Sequence, residues 1–332
     1  MEILRALGKP SLPWSRMSPG PMSRLVTKLP PLTLSNPIMS ASGTFGHGLE
    51  MGAIVPPERL GALVSKTVTL EPRPGNPMPR VWETEAGFLN SIGLENRGLE
   101  AYMEDVLPTV AAAARAGTAI VTNIGGHTPQ EFVQLAQALG ERPEIAALEV
   151  NLSCPNVQGG KLPFATDPAA ARDILAALAN VTDKPLWAKL SPNVARIDEM
   201  ALAVEEGGAA AITACNTLLG MAVDWRTRRP RLALVRGGYS GLGVRPVALR
   251  CAYDCARAVS IPVIGCGGIS SAEHVLEFIV AGCTAVQVGS ASFSDPGLLG
   301  RLAAEVEDLL EREDCPDLAE LCGSLTEGAP CA

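Results

Sequence analysis

The stretch "ALEVNLSCPNVQGG" (residues 147–160) reads as a buried strand that ends abruptly in polar side chains. Its first half is mostly apolar on both faces, which is typical of a parallel strand covered by helices. Asn151, Cys154 and Asn156 then follow within a few residues, and Pro155 fixes the backbone between them. Packing a core requires no such polar cluster, so the end of this strand indicates a binding or catalytic site.

Other short runs along the chain have the same apolar, β-branched character. They lie at residues 36–43, 62–68, 119–126, 186–191, 210–216, 261–268 and 285–290. Amphipathic stretches with helical periodicity alternate with these runs. Strands and helices in this alternation predict an α/β fold, a (β/α)8 TIM barrel. The same local pattern is also compatible with a doubly wound open sheet.

Several of the predicted helices begin with clear capping signals. In these signals an oxygen-bearing side chain precedes the helix, and either a proline or a glutamate follows at the favoured position. The predicted caps are Thr128 with Pro129 and Glu131, Asp167 with Pro168, Asp295 with Pro296, and Ser270 with Glu273.

The chain divides into one predicted domain and two peripheral segments. A single barrel domain is expected over residues 23–312, after a flexible leader over residues 1–22. An acidic tail over residues 313–332 is expected to be peripheral. The segment "LVTKLPPLTLSN" (residues 25–36) predicts an N-terminal hairpin that closes the barrel floor.

The chain has 332 residues, of which 47% are hydrophobic and 19% are charged. This composition is typical of a globular protein with a well-filled core. A net charge of −8 without a basic stripe argues against nucleic-acid binding. Nine cysteines without a C-x-x-C pair do not form a disulfide framework, which favours a reducing cytoplasm. No apolar run reaches the roughly 20 residues of a membrane span, so no membrane contact is expected.

The carboxyl ends of the strands in such a barrel meet at one rim, where active sites are built. Each predicted strand delivers a polar side chain or a glycine to that rim: Ser42, Lys66, Asn123, Asn151 with Cys154, Lys189, Asn216, Gly267 with Gly268, and Gly289 with Ser290. Insertions at residues 69–97 and 218–245 interrupt the alternation, and long connections often cover functional sites. The sequence therefore predicts one polar pocket covered by inserted loops.

Lys66 and Lys189 are both predicted to lie inside otherwise apolar strands. A buried ammonium is costly unless it meets an anion or several hydrogen-bond acceptors. A single lysine of this kind more often faces outward between helices. Two of them near strand ends favour an anionic ligand.

Glycines end the last two strands, in "GCGGIS" and "VGSASF". Barrels of this kind bind phosphate at that position through backbone N–H groups at helix starts, and ordinary turn glycines are the alternative. The segment "GYSGLGVRP" lacks the third glycine of a dinucleotide fingerprint, and no strand leads into it. No nicotinamide site is therefore expected in this chain.

Cys154 follows its strand in a loop that ends in Gly159 and Gly160. A thiol in that position can act as a general base, a nucleophile or a metal ligand. The alternative is a cysteine that packs as a small buried side chain without a chemical role. A metal is not expected, because no histidine or cysteine partner is suitably spaced. His127 also follows a strand and is a minor candidate for the pocket.

Several long motifs occur in an order that resembles dihydroorotate dehydrogenase of the cysteine-using class. They are "SKTVTLEPRPGNPMPR", "NSIGLENRG", "NLSCPN", "NTLLGM", "IPVIGCGGI" and "AVQVGSASFSDP", and the likeness runs from about residue 25 to about residue 310. Within the class, "NPIMSASGTFG", "LEPRPGNP", "NTLLGM" and "NVQGG" are most similar to the catalytic subunit of the NAD-linked, two-subunit type.

The resemblance implies an FMN enzyme that oxidises dihydroorotate to orotate in pyrimidine biosynthesis. Cys154 would take the proton from C5 while a hydride leaves C6 for the flavin. The implied FMN contacts are Ser42, Lys66, Thr67, Asn123, Asn151, Lys189, Cys215, Gly241, Gly267, Gly268, Gly289 and Ser290. The implied substrate contacts are Lys66, Asn90, Ser91, Ile92, Gly93, Leu94, Asn151, Asn216 and Thr217, with Asn156 as a further candidate.

The resemblance also implies a homodimer that joins a second subunit carrying FAD and an iron–sulfur cluster, through which electrons reach NAD. The resulting assembly is a heterotetramer. A homodimeric enzyme that passes its electrons to fumarate is the nearest alternative. More distant alternatives are a flavin-free lyase with a Schiff base on Lys66 or Lys189, and an inactive barrel that serves as a binding subunit.

Overall fold

The computed structural model describes residues 23–48, 50–114, 117–153, 163–326 and 328. Its strands are β1 (Thr27–Leu29), β2 (Leu32–Leu34), β3 (Ile38–Ser40), β4 (Ala62–Val64), β5 (Val81–Thr84), β6 (Gly87–Asn90), β7 (Ala119–Ile124), β8 (Ala147–Asn151), β9 (Leu186–Lys189), β10 (Ala211–Ala214), β11 (Leu218–Met221), β12 (Val223–Asp224), β13 (Arg229–Pro230), β14 (Arg236–Ser240), β15 (Val263–Cys266) and β16 (Ala285–Val288).

Eight of these strands close into a parallel barrel, in the order β3-β4-β7-β8-β9-β10-β15-β16, and β16 pairs with β3 again. Each barrel strand falls within one of the predicted apolar runs. The predicted (β/α)8 barrel is therefore confirmed, and the alternative of a doubly wound open sheet is wrong because the ring of strands has no free edge.

Helices connect the strands on the outside of the barrel. They are α1 (Gly98–Ala101), a π-helical turn (Tyr102–Val106), α2 (Leu107–Ala113), α3 (Pro129–Gly140), α4 (Pro168–Ala179), α5 (Ile197–Glu206), α6 (Arg245–Ala258), α7 (Ala272–Val280), α8 (Ala291–Ser294), α9 (Leu298–Arg312) and α10 (Leu318–Leu321). Cys251 and Cys255 of α6 are both buried in the layer between helices and strands, as four-residue spacing predicts.

Two of the predicted helix caps are confirmed by side-chain hydrogen bonds. Thr128 Oγ1 accepts from the backbone N–H of Glu131 at 3.2 Å, at the start of α3. Asp167 Oδ1 accepts from the N–H of Ala169 at 3.0 Å, at the start of α4. Each cap satisfies a backbone donor that the first turn of the helix leaves without a partner.

The other two predicted caps are wrong. Ser271, not Ser270, caps α7 by accepting from the N–H of His274, because Ser270 Oγ instead contacts the His274 ring at 3.2 Å. Asp295 makes no side-chain cap, because its carboxylate accepts from the guanidinium of Arg301, at 2.9 Å for the Nη1 donor.

The predicted hairpin at the N-terminus is confirmed and lies against the barrel floor. β1 and β2 pair antiparallel, with Thr27 opposite Leu34. Leu29 and Leu34 pack in one buried cluster with Trp187 and other inward-facing residues near the amino ends of the barrel strands. This apolar plug fills the barrel at the amino ends of its strands and leaves the opposite rim, at the carboxyl ends, as the place for a ligand.

The two predicted insertions meet above that opposite rim and form one antiparallel sheet. Its strand order is β11-β14-β6-β5. Asn90 on β6 lies opposite Gly238 on β14, and the Asn90 amide donates to the carbonyl oxygen of Gly238 at 3.3 Å. The insertions therefore cover the barrel as an ordered sheet, which we call the cover sheet (β5, β6, β11 and β14).

The chain after α9 packs on the outside of the barrel. Leu318 of α10 is buried, and the backbone N–H groups of Gly323 and Leu325 donate to carbonyl oxygens at the end of α7. In the part of the chain that the structure describes, none of the helices combines the length and the apolar character needed to cross a bilayer.

Candidate active site

A cavity of about 670 Å³ opens between the carboxyl rim of the barrel and the cover sheet. All eight barrel strands contribute to its wall through their last residues or the residues directly after them. Cavities of this size hold a cofactor or a drug-sized ligand. The convergence of eight strand ends on one cavity is the arrangement that the sequence predicts.

Every predicted binding residue that the structure describes lines this cavity. They are Ser42, Lys66, Thr67, Asn90, Ser91, Ile92, Gly93, Leu94, Asn123, Asn151, Lys189, Cys215, Asn216, Thr217, Gly241, Gly267, Gly268, Gly289 and Ser290. Cys154 and Asn156 lie outside the described residues. Ser153, which directly precedes Cys154, lines the cavity, and its hydroxyl donates to the carbonyl oxygen of Lys189 at 3.0 Å.

Of the two lysines predicted to lie inside strands, the structure confirms Lys189 and differs at Lys66. Lys66 does not lie inside a strand: β4 ends at Val64, and Lys66 follows in the loop, where its backbone N–H donates to Gly46 at 2.8 Å. Lys189 is the last residue of β9 and is 4% exposed. Both side chains reach the cavity, Lys66 from a loop and Lys189 from the end of a strand.

The ammonium of Lys189 meets an anion inside the protein. Its Nζ donates to Gln287 Oε1 at 2.9 Å and lies 3.5 Å from Glu149 Oε1. Burial is the largest single influence and lowers the pKa of Lys189, but the opposing influences, led by the charge of the Glu149 carboxylate, together raise the pKa above its usual value. The burial of Lys189 therefore does not by itself require an anionic ligand.

Glu149 is a central residue that the sequence reasoning missed. It is fully buried on β8, and its carboxylate accepts from Asn123 Nδ2 at 2.6 Å and from Thr213 Oγ1 at 2.8 Å. Gln287 Nε2 donates to the same carboxylate. The signal was present, because a lone glutamate in the apolar run "ALEVN" needs buried partners.

Further polar residues of the cavity wall were also missed. Ser191 and Asn193 follow β9, and Asn193 Nδ2 donates to the carbonyl oxygen of Thr217 at 3.1 Å. This contact ties the loop after β9 to the loop after β10. The histidine that sequence reasoning held as a minor candidate, His127, does not line the cavity.

The amides of Asn151 and Asn216 are held together on the cavity wall. Asn216 Nδ2 donates to Asn151 Oδ1 at 3.4 Å, and the N–H of Ser153 donates to the same oxygen at 3.3 Å. A carboxamide offers both a donor and an acceptor, which suits a ring that carries N–H and C=O groups.

The glycine-rich end of the cavity has the properties of an anion cradle. Gly267 and Gly268 follow β15 with φ of +133° and +75°, in backbone conformations that favour glycine. A Cβ on Gly268 would lie 2.5 Å from the Cβ of Arg245 and 2.8 Å from its backbone N. A side chain is therefore excluded at Gly268, and glycine backbone in such conformations is typical of sites where peptide N–H groups bind an anion.

Two thiols line the cavity within the described residues, and neither suits proton abstraction near neutral pH. A hydrogen bond with Cys251, together with burial, raises the pKa of Cys215 well above its usual value. Burial likewise raises the pKa of Cys266. A thiol acts as a base or nucleophile through its thiolate, so these two are poor candidates.

Sequence comparison decides the family. The family model described as dihydroorotate dehydrogenase matches residues 24–310. The chain belongs to the dihydroorotate dehydrogenase family. Similar relatives carry the name dihydroorotate dehydrogenase B (NAD(+)), catalytic subunit. The relative from Geobacter sulfurreducens is 49% identical, and the match covers 89% of this chain and 95% of the relative. The relative from Geobacillus sp. is 45% identical, and the match covers 91% of this chain and 96% of the relative.

The fold of this dihydroorotate dehydrogenase family member also matches a solved structure. The crystal structure of DHODH in complex with ferulenol from Eimeria tenella superposes with a TM-score of 0.78. The match covers 97% of this chain and 93% of that chain at 20% sequence identity. At this identity the likeness supports the barrel fold alone.

The cavity residues of this dihydroorotate dehydrogenase family member fit FMN, which carries a phosphate and a flat ring with one N–H and two carbonyl groups. Asn123 Oδ1 is buried and has no hydrogen-bond partner within the described part of the chain, so it can accept from a ring N–H. The Gly267–Gly268 cradle can approach a phosphate through its backbone. Both features lie on the wall of the same cavity.

Proposed function

We propose that this chain oxidises dihydroorotate to orotate as the FMN-binding catalytic subunit of an NAD-linked dihydroorotate dehydrogenase. The observation that carries the proposal is the cavity at the barrel rim, which is lined by those predicted FMN and substrate contacts that lie within the described residues. Relatives with the same domain and 45–49% identity bear the corresponding name.

The chemistry removes two hydrogens from neighbouring carbons of the substrate. The hydrogen on C5 leaves as a proton and that on C6 leaves as a hydride, so that a C5=C6 double bond forms. FMN, when bound, supplies the acceptor for the hydride. We assign its phosphate to Gly267, Gly268, Gly289 and Ser290, and its ring to Ser42, Lys66, Thr67, Asn123, Asn151, Lys189, Cys215 and Gly241.

We assign the C5 proton to the sulfur of Cys154. The chain enters residue 154 from Ser153, whose hydroxyl is tied to the backbone of β9 at the cavity wall. The other cavity thiols, Cys215 and Cys266, have raised pKa values that disfavour a thiolate. A base that removes a proton beside a carbonyl works best with a pKa near the operating pH.

The substrate is assigned to the side of the cavity formed by the cover sheet. Lys66 supplies a cationic group for the substrate carboxylate, and its backbone is fixed by the hydrogen bond to Gly46. Asn151 and Asn216 supply paired amides for the ring N–H and C=O groups. We assign residues 90–94, which end β6 and continue as a loop along the cavity wall, to the same ligand.

The proposal is tested by mixing the FMN-loaded chain with dihydroorotate in the absence of oxygen. We expect the flavin absorbance to bleach, with one orotate formed for each flavin reduced. A chain that binds FMN but is not bleached by dihydroorotate would contradict the assigned reaction. Borohydride, which traps a Schiff base, is expected to leave no adduct on Lys189, because its raised pKa keeps it protonated.

We further propose that a second subunit, carrying FAD and an iron–sulfur cluster, passes the electrons to NAD in a heterotetramer built on a homodimer of this chain. Support for a partner comes from the names of the relatives, each of which is called a catalytic subunit. Reoxidation of the bleached chain by NAD only after addition of the co-purified partner supports this route. Rapid reoxidation by fumarate without a partner would instead assign the fumarate-linked type.

The glycine cradle gives a prediction about the phosphate of FMN. Replacing Gly268 with alanine is expected to weaken FMN binding about tenfold, or about 1.4 kcal/mol, because the new Cβ collides with Arg245 and strains a backbone at φ +75°. Riboflavin, which lacks the phosphate, should lose less affinity. Fluorescence titration of the apoprotein with each ligand measures both values.

Gly208→Ala is the matched control for this variant. Gly208 also has a positive φ, +94°, but a Cβ there would lie 3.5 Å from Ala179 and away from the cavity. Gly208→Ala should lower the free energy of unfolding without changing the affinity for FMN. If Gly268→Ala bound FMN as tightly as the wild type, the phosphate would have to lie elsewhere.

A further inference from the structure

A buried carboxylate organises the inner wall of the cavity without touching the cavity itself. The carboxylate belongs to Glu149, which is fully buried together with Thr213 and Gln287. None of these three side chains lines the cavity. Glu149 reaches it only through Asn123 and Lys189, which do line it. Glu149 therefore makes no direct contact with the cavity, and its hydrogen-bonded links to the cavity wall are these two side chains.

The contact with Glu149 fixes which atom Asn123 offers to a ligand. The carboxylate can only accept, so Asn123 must turn its Nδ2 toward Glu149, at 2.6 Å. Its Oδ1 is then the atom left over, buried and without a partner in the described residues. With a neutral amide in place of the carboxylate, the Asn123 amide could rotate and present N–H groups instead.

The contact with Glu149 also fixes the charge of Lys189. The titratable groups that face this ammonium are Glu149 from β8, Cys215 after β10 and Cys266 at the end of β15. Both thiols have raised pKa values and stay neutral, so among these three described groups Glu149 is the one that places a charge beside Lys189. Burial alone favours the neutral amine.

We propose that Glu149 is a positioning residue of the FMN site, which orients Asn123 as an acceptor and holds Lys189 as a cation at the cavity wall. This inference rests on the proposed FMN function and deepens it. Thr213 and Gln287 complete the arrangement by donating to the same carboxylate. Four donors from four barrel strands thus converge on one buried anion.

The test is a titration of the apoprotein with FMN between about pH 6 and pH 9, where a buried lysine without a counter-charge loses its proton. For Glu149→Gln we expect the Kd to rise about tenfold or more, the scale of a lost charge-assisted hydrogen bond. The Kd should rise further as the pH increases, because Lys189 becomes neutral. The wild-type chain, titrated in parallel, corrects for protonation of the FMN phosphate itself.

Thr213→Val is the matched control, because it removes one donor to the same carboxylate and leaves the charge pair intact. Its Kd should stay close to that of the wild type at every pH. The inference is overturned if Glu149→Gln keeps the wild-type Kd and pH profile, or if Thr213→Val reproduces the Glu149→Gln profile. A wild-type chain that binds no FMN would count against the proposed function instead.

A second experiment measures unfolding temperatures and needs no cofactor. It tests the inference even if Glu149→Gln folds poorly. The double variant Glu149→Gln/Lys189→Met buries neither charge, so it should unfold at a higher temperature than Glu149→Gln alone. If the double variant is no more stable than Glu149→Gln, the claim that the carboxylate holds a charged lysine is wrong.

Discussion

Replacing Cys154 with alanine is expected to slow flavin reduction by dihydroorotate by a factor of about 100 or more, while FMN stays bound. General-base catalysis contributes on this order, and the cavity offers no suitable replacement among the described thiols because the pKa values of Cys215 and Cys266 are raised. Stopped-flow absorbance under anaerobic conditions measures the rate, and the flavin spectrum before mixing reports FMN content.

Cys315→Ala is the control for this variant, because Cys315 does not line the cavity and its thiol donates to the carbonyl oxygen of Asp317. It should reduce flavin at the wild-type rate. Cys154→Ser should be slow near neutral pH and gain rate as the pH rises, since a hydroxyl is a weaker base than a thiolate. Unchanged reduction kinetics in Cys154→Ala would remove Cys154 from the mechanism.

Replacing Lys189 with methionine is expected to have two large effects. The free energy of unfolding should fall by about 3–5 kcal/mol, because the buried Glu149 carboxylate loses its cationic partner. FMN affinity should fall by about 10- to 100-fold, because a charged donor disappears from the cavity wall. Denaturant unfolding and FMN fluorescence titration measure the two effects separately.

Lys184→Met controls for removal of a lysine beside the same strand. Lys184 lies just before β9, is half-buried, and does not line the cavity. This variant should keep both stability and FMN affinity. If Lys189→Met held FMN as tightly as the wild type, the assignment of Lys189 to the FMN ring would be wrong, even if stability fell as expected.

The barrel and its cavity were predictable because they depend on local patterns repeated along the chain. Each apolar run marks a strand, and parallel strands in a closed barrel place their carboxyl ends on one rim. Residues as far apart in sequence as Ser42 and Ser290 could therefore be assigned to one cavity. The strong caps at Thr128 and Asp167 were predictable for the same reason, since a cap is a local feature.

Most of the missed features depend on contacts between residues that are far apart in the sequence. The pairing of Asn90 with Gly238 joins segments 148 residues apart, and neither insertion carries a local signal for the other. Asp295 has the pattern of a helix cap, but Arg301 takes its carboxylate. The pairing of Glu149 with Lys189 likewise becomes visible only when β8 and β9 lie side by side.

The most direct measurement for the account as a whole is a crystal structure of the chain grown with FMN and orotate. We expect both ligands in the rim cavity, with the phosphate against the backbone of Gly267 and Gly268 and with the sulfur of Cys154 within reach of C5 of orotate. FMN bound anywhere else, or Cys154 turned away from a bound orotate, would contradict it.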